Sequence, residues 1–125
     1  MKLSNNFSKE EFDSNDGADM PNDVLDNVIE LARNLQVIRD YFGKAVKVNS
    51  GYRSPMHNKK IGGSANSQHL LGKASDIVIV GVDPSEVADK IEYLIENGLI
   101  SEGGVGRYET FTHYDIRGTK ARWNG

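Results

Sequence analysis

The chain has 125 residues, of which 38% are hydrophobic, so it lies within the usual size of one domain and can bury a single core. We therefore expect one domain over residues 1–125. The 15 basic and 18 acidic residues leave a formal charge of -3, which argues against a nucleic-acid partner. Because there is no cysteine, disulfides, thiolate metal sites and cysteine nucleophiles are excluded, and any metal must bind to nitrogen and oxygen.

The amino-terminal half is predicted to contain a short helical turn and a long helix. Ser8 to Glu11 has the spacing of a capping box, which predicts a helical turn. From Val24 to Phe42 apolar residues recur at helical spacing, and Gly43 follows as a C-cap. A second long helix is predicted to start at Asp83-Pro84-Ser85-Glu86, where aspartate can cap, and to end at Asn97-Gly98.

Strands are predicted between and after the helices. Short runs rich in β-branched or aromatic residues, bounded by glycine or polar residues, lie at residues 45–49, 74–80, 104–107 and 111–117. Helices and strands do not alternate regularly, which argues against repeated βαβ units. We therefore predict an α+β fold, with helices packed on one face of a small, mainly antiparallel sheet and a metal site in a cleft at the sheet.

The segment from Asn49 to Asp76 is predicted to be a long functional loop. It contains four glycines and two of the three histidines, and it shows little periodicity. Loops of this length are uncommon in compact domains unless a site organises them. A bound metal would provide that organisation.

Three residues of this chain are candidate metal ligands. Asp76 opens a very apolar strand, where a carboxylate is costly unless it is paired, hydrogen-bonded or bound to a cation. His69 precedes it by seven residues, and His113 shares one strand face with Asp115, roughly 7 Å away along the chain. Two histidines and one carboxylate leave a position open for water, as in hydrolytic zinc sites, whereas calcium and magnesium prefer more oxygen ligands.

These residues form a recognisable motif. The spacing Ser67-x-His69-x-x-Gly72-x-Ala74-x-Asp76, followed by a strand carrying His113, resembles the metal signature of zinc D-alanyl-D-alanine carboxypeptidases, peptidase family M15. Ser50-Gly51-Tyr52-Arg53-Ser54-Pro55 matches as well. The resemblance is to the short single-domain branch of phage and bacterial wall hydrolases, and it covers most of the chain.

The resemblance implies a role for each matching residue. His69, Asp76 and His113 are expected to bind one Zn²⁺ per chain, and Arg53 is expected to meet the substrate's carboxylate or carbonyl. Ser67 is expected to make a lesser substrate contact. The expected reaction is hydrolysis of peptidoglycan stem peptides by a metal-activated water, either as a D-alanyl-D-alanine carboxypeptidase or as an endopeptidase.

The general base departs from the family pattern. Family members often have glutamate or histidine three residues before the last zinc ligand, whereas this chain has Thr110, which cannot accept a proton at neutral pH. The role then passes to Asp115, to Glu109 or to His57. We favour Asp115 because it shares the strand face of His113, whereas Glu109 precedes the strand and needs a turn or bulge to face the metal.

Two alternatives remain open. Asp115 could instead form an ordinary ion pair with Arg117 or Arg107. The domain could also be a non-catalytic zinc-containing module that binds wall peptide or a protein partner, which the threonine at position 110 would favour.

The remaining expectations concern core residues, partners and location. Tyr52, Tyr108 and Tyr114 are expected to close the core, and Lys120 to Arg122 is expected to be solvated charge. We expect a monomer that binds peptidoglycan peptide and no membrane. The first residues lack the apolar run of a signal peptide, so we expect cytoplasmic synthesis with release by lysis or phage-type delivery, or the loss of a leader.

Overall fold

Three α-helices are present in the computed structural model, which describes residues 1–125: α1 (Asn22–Phe42), α2 (Pro55–Lys60) and α3 (Pro84–Glu96). The prediction of α1 is confirmed, and it ends at Gly43, whose left-handed φ of 63° lets its N–H donate to the Arg39 carbonyl at 2.9 Å. The prediction of α3 is also confirmed, but capping by the Asp83 side chain is wrong, because that carboxylate accepts no capping hydrogen bond. None of the helices combines the length and apolar character that a bilayer crossing requires.

Short helical turns account for the other helical residues. The predicted turn near the amino terminus is a 3₁₀ turn, Lys9–Phe12, in which Glu11 accepts from the Ser8 backbone N–H at 2.7 Å. The prediction of a continuous loop from Asn49 to Asp76 is wrong in part, because α2 and a second 3₁₀ turn, Gln68–Leu71, lie within it. Each is shorter than two turns, so neither produces a readable helical period.

Seven strands form two sheets. They are β1 (Lys2–Ser4), β2 (Phe7–Ser8), β3 (Val46–Ser50), β4 (Ala74–Ile79), β5 (Gly104–Arg107), β6 (Thr112–Asp115) and β7 (Ala121–Asn124). β1 and β2 pair with each other, and the other five form a sheet in the order β3-β4-β6-β5-β7, in which only the β5–β7 pair is parallel. The predicted α+β class with a mainly antiparallel sheet is therefore confirmed. The strands β1, β2 and β7 were not predicted.

The two faces of the large sheet have different roles. Because side chains alternate along a strand, Ile77 and Ile79 point to one face and Asp76 to the other. The first face packs against the long helices in a cluster that includes Val28, Leu31, Leu35, Ile38, Val87, Ile91, Leu94 and Tyr114. Tyr52 joins this cluster as expected. The opposite, polar face carries Asp76 and the other candidate metal ligand of the sheet, His113.

One row of directly paired residues crosses the polar face of the sheet. Ser50 pairs with Asp76, Asp76 with His113, His113 with Gly106, and Gly106 with Trp123. Directly paired residues project to the same side of a sheet. Two candidate metal ligands are therefore neighbours, and the one tryptophan of the chain lies two strands beyond them.

The carboxyl-terminal strand is held by ion pairs. Arg122 donates to Glu92 at 2.7 Å, to Glu102 at 3.0 Å and to the carbonyl of Gly103 at 2.6 Å. The expectation that residues up to Arg122 are solvated charge is therefore wrong for this arginine. Its partners come from α3 and the segment before β5, which lie far away in the sequence.

Candidate metal centre

Three metal-ligating side chains meet above β4 and β6: His69, Asp76 and His113. The 3₁₀ turn that carries His69 ends at Gly72, whose φ of 74° turns the chain into β4. Nε2 of His69 lies 3.3 Å from Oδ1 of Asp76, and Nδ1 of His113 lies 3.2 Å from the same oxygen. One ligand atom from each residue lies within 4.8 Å of the others, so the group can hold one metal ion.

Each histidine has its second ring nitrogen held by an acceptor. His69 Nδ1–H donates to the carbonyl of Gly51 at 2.7 Å, and His113 Nε2–H donates to Oδ2 of Asp115 at 2.6 Å. These partners assign the tautomers, leaving Nε2 of His69 and Nδ1 of His113 free to face Asp76. Two nitrogen lone pairs facing a carboxylate call for a cation or a proton between them, and metal-binding histidines are usually held in this way.

Burial and charge distinguish this cluster from a surface ion pair. His69, Asp76 and His113 are only 3%, 8% and 7% exposed. Burial raises the pKa of Asp76, but when the histidine nitrogens that face it carry protons, their hydrogen bonds to Asp76 outweigh that effect and hold this pKa well below its usual range. Burial lowers the pKa of His113, but its bonds to Asp115 and Asp76 outweigh burial and leave this pKa raised.

Arg53 lies beside the cluster. Its backbone N–H donates to the His69 carbonyl at 3.0 Å, and its Nη2 lies 3.2 Å from Oδ2 of Asp76. Its Nε donates to Ser50 Oγ at 3.2 Å, and its Nη1 lies 3.4 Å from Asn58 Oδ1. The guanidinium is thus oriented by β3, β4 and α2, and it lines the cleft, as the family resemblance implies.

Asp115 lies on the far side of His113. It is fully buried and accepts from His113, from the Gly104 N–H at 2.8 Å, and from the Arg117 backbone N–H and guanidinium. The guanidinium contact is bidentate, with Nε at 2.9 Å and Nη2 at 2.7 Å. Burial raises the pKa of Asp115, but these donors outweigh that effect and lower it well below its usual range. Both oxygens are occupied, and Asp115 does not line the cleft.

The other candidate residues lie at different distances from the cluster. Glu109 is exposed on the turn between β5 and β6, next to Thr110, and is flanked by the cleft-lining Tyr108 and Phe111. His57 lies on α2 and does not line the cleft. Ser67 lines the cleft, and its Oγ caps the 3₁₀ turn by accepting from the His69 N–H at 3.2 Å.

The cluster opens into a cleft of about 750 Å³ with two unlike walls. The polar wall is formed by residues 61–64 and 66–68, which are mostly glycine, serine and amide side chains. The aromatic wall is formed by Tyr108, Phe111 and Trp123. Asp76 is the one carboxylate that lines the cleft.

The aromatic wall was not predicted from the sequence. Tyr108 is expected in the core, but its side chain is half-exposed in the cleft, so that expectation is wrong. Phe111 opens the predicted strand 111–117 without a predicted role, and Trp123 lies in a strand that was not predicted. The available signal for this wall was the pair Gly104 and Gly106, on either side of Val105, since a glycine within a strand often marks a place where another group packs closely.

Comparison with known proteins gives two findings. A family model described as Peptidase M15 matches residues 3–115. The zinc D-Ala-D-Ala carboxypeptidase of Streptomyces albus G is 38% identical over 52 residues, which is 41% of this chain and 20% of that protein. The chain thus matches about one fifth of the length of that relative.

Proposed function

The chain belongs to peptidase family M15, and we propose that it is a zinc-dependent peptidase that hydrolyses peptidoglycan stem peptides. The observation that carries the proposal is the pair of histidine nitrogens left free to face Asp76 by their hydrogen bonds to Gly51 and Asp115. Such a buried group, open to a cleft that also contains an arginine, has the donors of a hydrolytic metal site.

Zinc fits the donor set of two imidazoles and one carboxylate. His69, Asp76 and His113 would hold it, and the protein from Streptomyces albus G that part of the chain resembles in sequence is named as a zinc enzyme. When bound, zinc would lower the pKa of water and polarise the peptide carbonyl. Asp115 would keep the His113 ring oriented by accepting its Nε2–H.

Arg53 is proposed to bind the substrate's terminal carboxylate. Its three contacts leave further N–H groups on Nη1 and Nη2 for a ligand in the cleft. A planar guanidinium suits a carboxylate, and a fixed cation also stabilises a developing oxyanion. Recognition of a free carboxylate favours trimming of a terminal D-alanine over cutting an internal bond. Ser67, in the adjacent polar wall, is proposed to contact the same residue.

Glu109 is proposed as the proton acceptor in place of Asp115. Asp115 is saturated by donors and closed off from the cleft, so it suits the orientation of His113 better than proton transfer. Glu109 is exposed between two residues that line the cleft, and a side chain on a turn can swing over it when substrate binds. Its carboxylate makes no hydrogen bond or ion pair that would have to break.

The test is metal analysis combined with digestion of purified peptidoglycan. We expect about one zinc per chain and release of D-alanine that stops when a chelator is added and resumes when zinc is restored. Mass spectrometry of the products separates the outcomes, because shortened stem peptides without free D-alanine would indicate an endopeptidase. Protein without zinc would contradict the proposal.

A second candidate function is a zinc-containing module that binds wall peptide without cutting it. The observation that favours it is the absence of any lining carboxylate other than Asp76. Zinc binding with retention of wall peptide, but without products at any pH, would establish this alternative. It would also remove the proposed role of Glu109.

A further inference from the structure

A buried side-chain amide lies between Arg53 and the polar wall of the cleft. It belongs to Asn58 on α2, which is only 3% exposed and does not itself line the cleft. Its Oδ1 accepts from Nη1 of Arg53 at 3.4 Å, and its Nδ2 donates to the carbonyl of Ser64 at 2.9 Å. The backbone carbonyl of Asn58 also accepts from the Gly63 N–H at 2.8 Å. One residue therefore connects the arginine to the polar wall.

The two neighbours of the Asn58 side chain determine which way its amide faces. A guanidinium can only donate and a carbonyl can only accept, so Oδ1 faces Arg53 and Nδ2 faces Ser64. The reversed amide would place a donor against a donor and an acceptor against an acceptor. Aspartate would offer the acceptor without the donor, and a serine hydroxyl stands one bond nearer the backbone. The link therefore requires an amide of this length.

The polar wall packs tightly against this amide at one glycine. A Cβ at Gly63 would lie 2.8 Å from Cγ of Asn58 and closer still to its Oδ1, so no side chain fits there. At the preceding Gly62, a Cβ would meet nothing within 4 Å. The close approach to the amide is therefore specific to position 63.

The hydrogen bonds continue from the polar wall to a metal ligand. The Ser64 carbonyl also accepts from the Ser67 N–H at 3.0 Å, and Ser67 Oγ accepts from the His69 N–H at 3.2 Å. The His69 carbonyl in turn accepts from the Arg53 N–H at 3.0 Å. The bonds thus form a closed circuit. Within it, the bond from Arg53 to Asn58 is the one that joins two side chains.

Of the partners of the Arg53 guanidinium, Asn58 is the one that also bonds to the polar wall. Nε of the arginine donates to Ser50 on β3, and Nη2 donates to Asp76 on β4. Both of these partners belong to the sheet. A movement of the wall would therefore reach the guanidinium through the amide of Asn58.

We propose that Asn58 is a positioning residue that fixes the Arg53 guanidinium against the polar wall, so that the arginine and the wall change their order together. It acts through Arg53 and not on the substrate, since it does not line the cleft. This inference rests on the proposed function for the substrate-binding role of Arg53. The link itself can be measured in protein without substrate.

The experiment measures both ends of the link by NMR, in protein supplied with one equivalent of zinc. Relaxation of the Arg53 Nε–H group, whose signal is identified by its loss in Arg53→Lys, reports how freely the guanidinium moves. Hydrogen exchange of the Gly63 and Ser67 amides reports how often the wall opens.

Two substitutions of Asn58 should have different effects. In Asn58→Asp the carboxylate still accepts from Arg53 but cannot donate to Ser64. Exchange of the wall amides should therefore rise about tenfold, whereas the guanidinium should stay ordered. In Asn58→Ser both bonds are lost, so exchange should rise and the guanidinium should become mobile. Circular dichroism checks that both variants are folded.

A substitution in the wall tests the link from its other end. In Gly63→Ala the new Cβ displaces the Asn58 amide, so the guanidinium should become mobile although the change is not made at a partner of Arg53. Asn27→Asp is the matched control. The Nδ2 of Asn27 also donates to a loop carbonyl, that of Leu71 at 2.9 Å, but Asn27 neither bonds to Arg53 nor lines the cleft. Both signals should stay unchanged in this variant.

Turnover gives a further test that a merely structural role would not satisfy. With an N-acetylated peptide that ends in D-Ala-D-Ala, Asn58→Ser should lower kcat/KM about tenfold. In Arg53→Lys, which lacks the planar fork that Asn58 orients, the same substitution should lower kcat/KM by less than about twofold. Equal losses in the two backgrounds would overturn the action through Arg53.

The outcomes separate this inference from the proposed function. An ordered guanidinium in both Asn58→Ser and Gly63→Ala overturns the positioning role. Unchanged exchange of the wall amides in Asn58→Asp also overturns it, and so do effects of the same size in Asn27→Asp. The expected NMR changes in a protein that cuts no peptide support the link made by Asn58 and overturn the proposed function.

Discussion

The His113 ring contacts one aspartate on each side, and the two histidine–aspartate contacts differ in their surroundings. On the Nδ1 side, Asp76 faces two free histidine nitrogens at the edge of an open cleft. On the Nε2 side, Asp115 is fully buried and receives donors from β5, β6 and Arg117. The open side can accept a cation, whereas we propose that the closed side orients the ring. Both sides carry an aspartate, so the difference lies in the number of hydrogen-bond donors that each carboxylate receives.

The largest effect is expected from breaking the open side. His69→Ala removes one of the three ligands, so we expect loss of stoichiometric zinc and a fall in turnover of about 10⁴-fold or more. Metal analysis and peptide hydrolysis check this. His57→Ala is the control, since His57 lies outside the cleft, and it should retain both zinc and turnover. Equal losses in the two variants would contradict the assignment of ligands.

A second variant separates metal binding from proton transfer on the open side. Glu109→Gln should keep zinc and thermal stability but lower kcat by about 10²- to 10⁴-fold, because glutamine cannot accept the proton. Thr110→Ala, at the neighbouring exposed position, serves as the control and should leave kcat unchanged. Unaltered kcat in Glu109→Gln would remove this residue from the mechanism.

Breaking the closed side should weaken the metal site without removing a ligand. Asp115→Asn loses the charge that holds His113 and Arg117, so zinc affinity should fall by about 10- to 100-fold. The free energy of unfolding should fall by about 3 kcal/mol, because a buried pair is broken. Competition with a chelator and denaturant unfolding measure these effects.

A surface ion pair provides the comparison for Asp115. Asp89 also lies 2.8 Å from an arginine, Arg107, but its side chain is 65% exposed. Asp89→Asn should therefore cost no more than about 1 kcal/mol and leave zinc affinity unchanged. A cost for Asp115→Asn as small as this would show that the closed side does not hold the ring.

Effects smaller than that of Asp115→Asn are expected from two glycines of β5 that lie between the closed side and the aromatic wall. In Gly106→Ala the new Cβ meets Trp123, so tryptophan emission should change while zinc affinity is retained. In Gly104→Ala the new Cβ meets Asp115 and lies 2.9 Å from Arg117 Nη2, so zinc affinity should fall instead. We expect each to cost about 1–3 kcal/mol of unfolding free energy. Identical effects would show that the two regions are not separate.

The local sequence was sufficient to predict the long helices and four strands and to mark Asp76 as unusual, whereas the grouping of His69, Asp76 and His113 was implied by the resemblance to peptidase family M15. Helical spacing and a following glycine determine α1, and the burial of a carboxylate at the start of β4 marks Asp76 as unusual whatever surrounds it. These features depend on neighbours within a few residues. For that reason they can be read without knowing how the strands pair.

Only the tertiary structure decided what surrounds the cluster. Alternation along β6 correctly places Asp115 on the face of His113, and the ion pair with Arg117 is one of the alternatives that the sequence offers. The Gly104 N–H that also closes off this carboxylate comes from β5, through strand pairing. Likewise, Trp123 reaches His113 because β7 pairs with β5 and Gly106 leaves room between them. Cross-strand register relates residues that are distant in sequence, so the roles of Asp115 and Trp123 depend on packing that no local pattern encodes.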